Sequence, residues 1–105
     1  MKALTGYRKY AENLMRKLLR GYRIYFSRDV LNSDGRRLLE DIIKSMIYSK
    51  EYHPGLIRSV RRNPSMENVL KLARILLAEE EIEDLLKTGI EGPIHNSAWH
   101  YLERE

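Results

Sequence analysis

The sequence predicts an all-α fold, and three observations carry the prediction. Apolar residues recur at the helical period through most of the chain, no stretch alternates apolar and polar residues as a half-buried strand would, and Gly, Pro, Asn and Ser cluster between the periodic stretches. With 105 residues the chain is long enough for one domain around one core. A compact bundle of four to five helices is expected. Residues 1–90 read as a basic helical domain, and residues 91–105 as an acidic C-terminal tail or closing helix.

The first helix is expected from Thr5 to about Val30, because Tyr7, Ala11, Leu14, Leu18, Tyr22 and Tyr25 keep one side apolar for more than five turns. Gly21 inside it costs about 1 kcal/mol relative to alanine and marks a kink or a close helix contact. Asn32-Ser33-Asp34-Gly35 is a turn, with Asn32 or Ser33 capping a second helix whose apolar side carries Leu38, Leu39, Ile42, Ile43 and Met46. Tyr52-His53-Pro54-Gly55 interrupts the pattern, and Pro54 suits the first position of a short third helix bearing Leu56, Ile57 and Val60. Asn63-Pro64 ends that helix and Ser65 caps a fourth, which is apolar over most of its circumference and is expected in the middle of the domain. Glu79-Glu80-Glu81 shifts the apolar phase, so a kink or fresh helix is expected near residue 80, with Gly89 as its stop. Gly92-Pro93 marks a loop before a last helical turn around Trp99 and Leu102.

Composition narrows the function classes. Without cysteine there is no disulfide, thiolate nucleophile or Cys-containing zinc site. The longest aliphatic run, Ile75 to Ala78, is far shorter than a membrane span, and no signal-peptide stretch opens the chain. A cytoplasmic location without membrane attachment is expected. Abundant charge and the absence of glutamine match the compositional lean of thermophile proteins.

Charge is distributed unevenly: residues 1–78 hold 17 Lys and Arg against 7 Asp and Glu, and residues 79–105 hold 2 against 8. A basic body of this kind attracts polyanions at long range. On the first helix Lys9, Arg16, Arg20 and Arg23 share one narrow arc, a stripe able to meet several phosphates and release their counterions. A solvated helix face is the bland alternative. Tyr7, Tyr22 and Tyr25 lie on the apolar side, so the tyrosines are expected in the core or in an interface, including a homo-oligomer through that face, rather than as platforms for unpaired bases.

The short third helix is a second basic focus, since Arg58, Arg61 and Arg62 lie opposite Leu56, Ile57 and Val60. The segment Arg61-Arg62-Asn63-Pro64-Ser65-Met66, followed by Leu70-Lys71-Leu72-Ala73 and an acidic Leu85-Leu86 turn, resembles phage-repressor-like helix-turn-helix proteins of the Cro type over residues 56–86. The resemblance implies that Leu56 to Arg62 is a recognition helix, that Ser65 caps the next core helix, and that DNA ranks ahead of RNA as the ligand. Upstream, the stretch from Tyr48 to Gly55 is longer than the tight turn of that family.

Catalysis finds less support. His95 and His100 are five residues apart and share no helix face, no His-Glu-x-x-His spacing occurs, and no phosphate-cradling glycine loop or nucleophile elbow exists. No metal, cofactor or catalytic residue is expected. The acids from Glu79 to Asp84 read as a solvated face. Trp99 and Tyr101 in the acidic tail either close the core or dock to a partner. The sequence therefore reads as a small non-enzymatic nucleic-acid-binding protein, with an interaction subunit or adaptor of a larger assembly as the alternative.

Overall fold

The computed structural model describes residues 2–50 and 53–90 of the chain. It is all-α apart from one two-stranded hairpin, with α1 (Lys2–Arg20), α2 (Tyr22–Tyr25), β1 (Phe26–Ser27), β2 (Val30–Leu31), α3 (Ser33–Tyr48), α4 (Pro54–Arg62), α5 (Met66–Leu76) and α6 (Glu79–Ile90). The expected loop at Gly92-Pro93, the turn around Trp99, and residues His95, His100 and Tyr101 lie outside the described residues.

The first helix is shorter than its apolar period implies. It ends at Arg20; Gly21 breaks it, and a single turn follows in which Ile24 and Tyr25 donate to the Gly21 carbonyl. The chain then forms a hairpin pairing Phe26 with Leu31 and Ser27 with Val30, with Arg28 and Asp29 both at positive φ in the two-residue loop. That is the backbone hand a tight hairpin requires, adopted here without glycine. Tertiary bonds hold the hairpin in place. The Leu31 amide donates to Pro64 O at 3.0 Å and the Met66 amide to Asp29 O at 2.8 Å, so the hairpin clasps the link between α4 and α5.

Asn32 caps α3: its Oδ1 accepts from the Gly35 amide at 2.9 Å while its Nδ2 donates to Ile24 O at 2.7 Å. The Ser65 side chain accepts from the Asn68 amide, and Pro54 opens α4, as their positions foretell. A separate α6 begins at Glu79, and it runs past Gly89 to Ile90 instead of stopping there.

Ala11, Met15, Leu18 and Leu19 of α1 are fully buried against residues that include Ile42, Ile43 and Met46 of α3, Val69 and Leu72 of α5 and Ile82 of α6. α1, not α5, is thus the central helix, packed on α3, α5 and α6. α5 instead leaves Glu67, Lys71 and Arg74 exposed on one side. Neighbouring helices follow one another around the core as α3, α1, α6, α5 and α4, and a groove separates α4 from α3. No helix among the described residues is long and apolar enough to cross a membrane.

Candidate nucleic-acid interface

Two basic surfaces were expected, one on the first helix and one on the third. The structure treats them differently. Arg16 turns from the α1 stripe toward α6, donating to the Glu81 carboxylate and lying near Glu12. Arg23 is half-buried and belongs to α2, beyond the break at Gly21. The surface that remains exposed on α1 carries Lys9, Lys17 and Arg20. Lys17 was not among the expected contacts, although its spacing of three residues before Arg20 places it on the same side.

The Arg16–Glu81 pair has an electrostatic signature. Hydrogen bonding from the Arg16 guanidinium, offset in part by desolvation and reinforced by the charges of Arg16 and Arg20, holds the Glu81 carboxyl below its ordinary value near 4.5. A lowered carboxyl stabilises the fold above the unfolded value and loses that contribution as pH falls through the folded one. Below about pH 4.5 the native protein should therefore lose more stability than the Glu81→Gln variant. At neutral pH the pair contributes less than about 1 kcal/mol, because both side chains are partly solvated. Urea denaturation of both proteins at several pH values measures the difference.

On α4, Ile57 and Val60 are buried and Arg58, Arg61 and Arg62 occupy an outward arc of about 100°. Arg61 makes a two-pronged pair with Glu40 of α3, Nε to Oε2 and Nη2 to Oε1, both at 3.0 Å. That pair bridges α3 and α4 across a groove of about 490 Å³ lined by Ile47, Pro54, Ile57, Arg58, Arg61 and Arg62. Arg58 and Arg62 are exposed, one helical turn apart, and make no ion pair with the described residues. They are free to meet an anion.

The α3 side of the groove adds charge that the sequence reading missed. Lys44 lies four residues after Glu40 and three before Ile47, so it belongs to the face that lines the groove. Arg36 and Arg37 are exposed one turn before Glu40, with Arg37 only loosely paired to Asp34 at 3.9 Å. The signal was present in their spacing opposite Leu39, Ile42 and Met46. Against these cations α3 carries Glu40, already engaged by Arg61, and the exposed Asp34 and Asp41 beside Arg37.

Acids gather elsewhere. Glu79 pairs with Arg74, Glu81 with Arg16, and Glu80, Glu83 and Asp84 are exposed on α6, which is separated from α3 by α1. Exposed cations thus predominate on α4 and on the exposed side of α1, and exposed acids on α6, while α3 exposes both signs. Among the described residues no three His, Asp or Glu side chains converge as a metal site would require. The five-residue link from Ser49 to His53 between α3 and α4 exceeds the tight turn of a helix-turn-helix, whereas Asn63-Pro64-Ser65 joins α4 to α5 closely. No protein-family model, curated protein or solved structure matches the chain.

Proposed function

We propose that the protein binds nucleic acid without catalysing a reaction on it, through phosphate contacts from the α3–α4 groove and the adjoining exposed side of α1. The observation that carries this reading is the pair of free arginines, Arg58 and Arg62, beside an Arg61 held in place by Glu40. Arginines spaced one turn apart on a rigid helix suit a phosphate chain, and Lys44, Lys17, Arg20 and Lys9 extend the same potential. Arg16 and Arg23 act chiefly within the fold.

Binding of this kind releases counterions, so affinity should fall linearly on a log-log plot as salt rises, by about 0.9 of a unit of slope per phosphate contact on duplex DNA. Fluorescence anisotropy with a labelled duplex and a labelled single strand at several salt concentrations tests it. A slope near zero, or no binding even at low salt, would sink the reading and leave the adaptor alternative, with an acidic protein as partner.

A second reading follows from the outward direction of the α4 arginines: α4 enters a duplex groove as the recognition helix that the helix-turn-helix resemblance implies. An arginine bidentate to guanine would then add about 1–3 kcal/mol of base discrimination. Selection from a random duplex pool returns a short motif in that case and none if the arginines only clamp phosphates.

A further inference from the structure

Three tyrosines lie at the surface, among them Tyr7, which was expected in the core or in an interface. Tyr7 is 39% exposed, Tyr10 53% and Tyr48 57%. Tyr10 follows Tyr7 by three residues on α1, one turn along the same side, and Tyr48 ends α3 with its ring centroid 5.0 Å from that of Tyr7. Those two rings are tilted by 44°, so they touch without stacking flat on each other. Ile47 is a wall of the arginine groove, and exposed Lys44, one turn before both Ile47 and Tyr48, lies between that groove and the aromatic surface.

Charge around the tyrosines is mixed but leans positive. Arg8 and Lys9 stand between Tyr7 and Tyr10, and Lys44 and Lys50 flank Tyr48, against Asp41 seven residues before Tyr48 and Glu51 three after it. The nearest acid on α1, Glu12, is bonded by Arg8 and lies near Arg16. A second copy of the chain laid on this patch would bring lysine against lysine. A partner with flat apolar faces and negative charge at regular intervals meets both features, and unpaired nucleotides have both.

Resting on the nucleic-acid reading above, we propose that the ligand is single-stranded: Tyr7, Tyr10 and Tyr48 stack unpaired bases while Arg58, Arg62 and Lys44 hold the phosphates of the same strand. Duplex DNA keeps its bases stacked on one another and offers these rings nothing comparable. Stacking on aromatic side chains tolerates any base, so binding should depend on strandedness more than on sequence.

The test uses the full chain and a labelled oligothymidine of about twelve nucleotides, within the usual span of single-strand sites. Its duplex with oligoadenosine is the comparison. Tyr10→Ala and Tyr48→Ala should each weaken single-strand binding about tenfold and leave duplex binding unchanged, while Tyr10→Phe and Tyr48→Phe bind like the native protein. Replacing thymidine by photoreactive 5-iodouracil should yield crosslinks at these tyrosines, a readout that loss of stability cannot mimic. Alanine variants that bind the single strand normally, or crosslinks found only elsewhere, would overturn the proposal while leaving phosphate binding intact. So would a dimer of the native protein that Tyr48→Ala converts to monomer without affecting the oligonucleotide. If the native protein binds neither strand nor duplex at low salt, the underlying nucleic-acid reading fails with it.

Discussion

Changing Arg58 and Arg62 together to Glu is expected to weaken nucleic-acid binding on the order of a hundredfold near 0.1 M salt and to lower the salt slope by about two units. Both side chains are exposed and outside the ion pairs of the fold, so folding should be unaffected. The buried side of α4, Ile57 and Val60, is untouched by the change. Lys71→Glu on α5, an exposed cation away from the groove, should leave affinity and slope nearly as they were. Arg16→Ala offers a different contrast: Arg16 is committed to Glu81, so its loss should appear in stability before it appears in binding. Anisotropy titrations at several salt concentrations, with circular dichroism to verify folding, measure all three. A folded Arg58→Glu, Arg62→Glu protein with native affinity and slope would remove the groove from consideration.

Gly35→Ala is expected to destabilise the fold by about 1–3 kcal/mol net, even though alanine is intrinsically the better helix residue by about 1 kcal/mol. An added Cβ would lie 2.6 Å from Leu31 Cδ2 and 2.6 Å from Tyr25 O. That carbonyl already accepts from the Asn32 amide at 2.8 Å, so it cannot retreat without loosening the entry to α3. Gly55→Ala in the first turn of α4 is the matching control, because nothing lies within 4 Å of a Cβ there. It should be neutral or stabilising by a few tenths of a kcal/mol, through the helix preference alone. Urea denaturation midpoints of the two variants should therefore move in opposite directions or differ clearly in size.

Local chemistry made α3, α4 and α5 readable from the chain. Asn32, Pro54 and Ser65 act at helix starts through contacts with their own near neighbours, and such contacts are visible in sequence. The first helix was harder, because an apolar period continues across Gly21 while the chain does not continue as helix. What ends it is partly distant: the hairpin is held by Pro64 and Met66, whose positions no local pattern reports. Tyr7 and Tyr10 lie among the apolar positions of α1, yet the buried arc centres on Ala11, Met15, Leu18 and Leu19, and the periodicity cannot say which residues at the helix end go uncovered. For the seven arginines and lysines of the expected interface, spacing reports only which residues share a helix side, and Arg23 falls beyond the end of α1. Spacing could not reveal that Arg16 and Arg61 are engaged by carboxylates 65 and 21 residues away. Lys17, Arg36 and Lys44 are further exposed cations, and folding sets Lys17 beside Arg37, Asp34 and Asp41 of α3.

The hairpin's grip on the α4–α5 link bears on the thermodynamics of recognition. Leu31 and Pro64 close a long loop that contains all of α3 and α4, and the Asp29 to Met66 bond seals it a second time. Without that closure, a ligand spanning both helices would have to restrict their relative motion as it bound, and the lost freedom would subtract from its affinity. With it, the ordering is completed during folding. If these residues bind a ligand as proposed, the arginines of α4 and the lysine of α3 would meet it already at a set separation, and binding strength would reflect the contacts themselves.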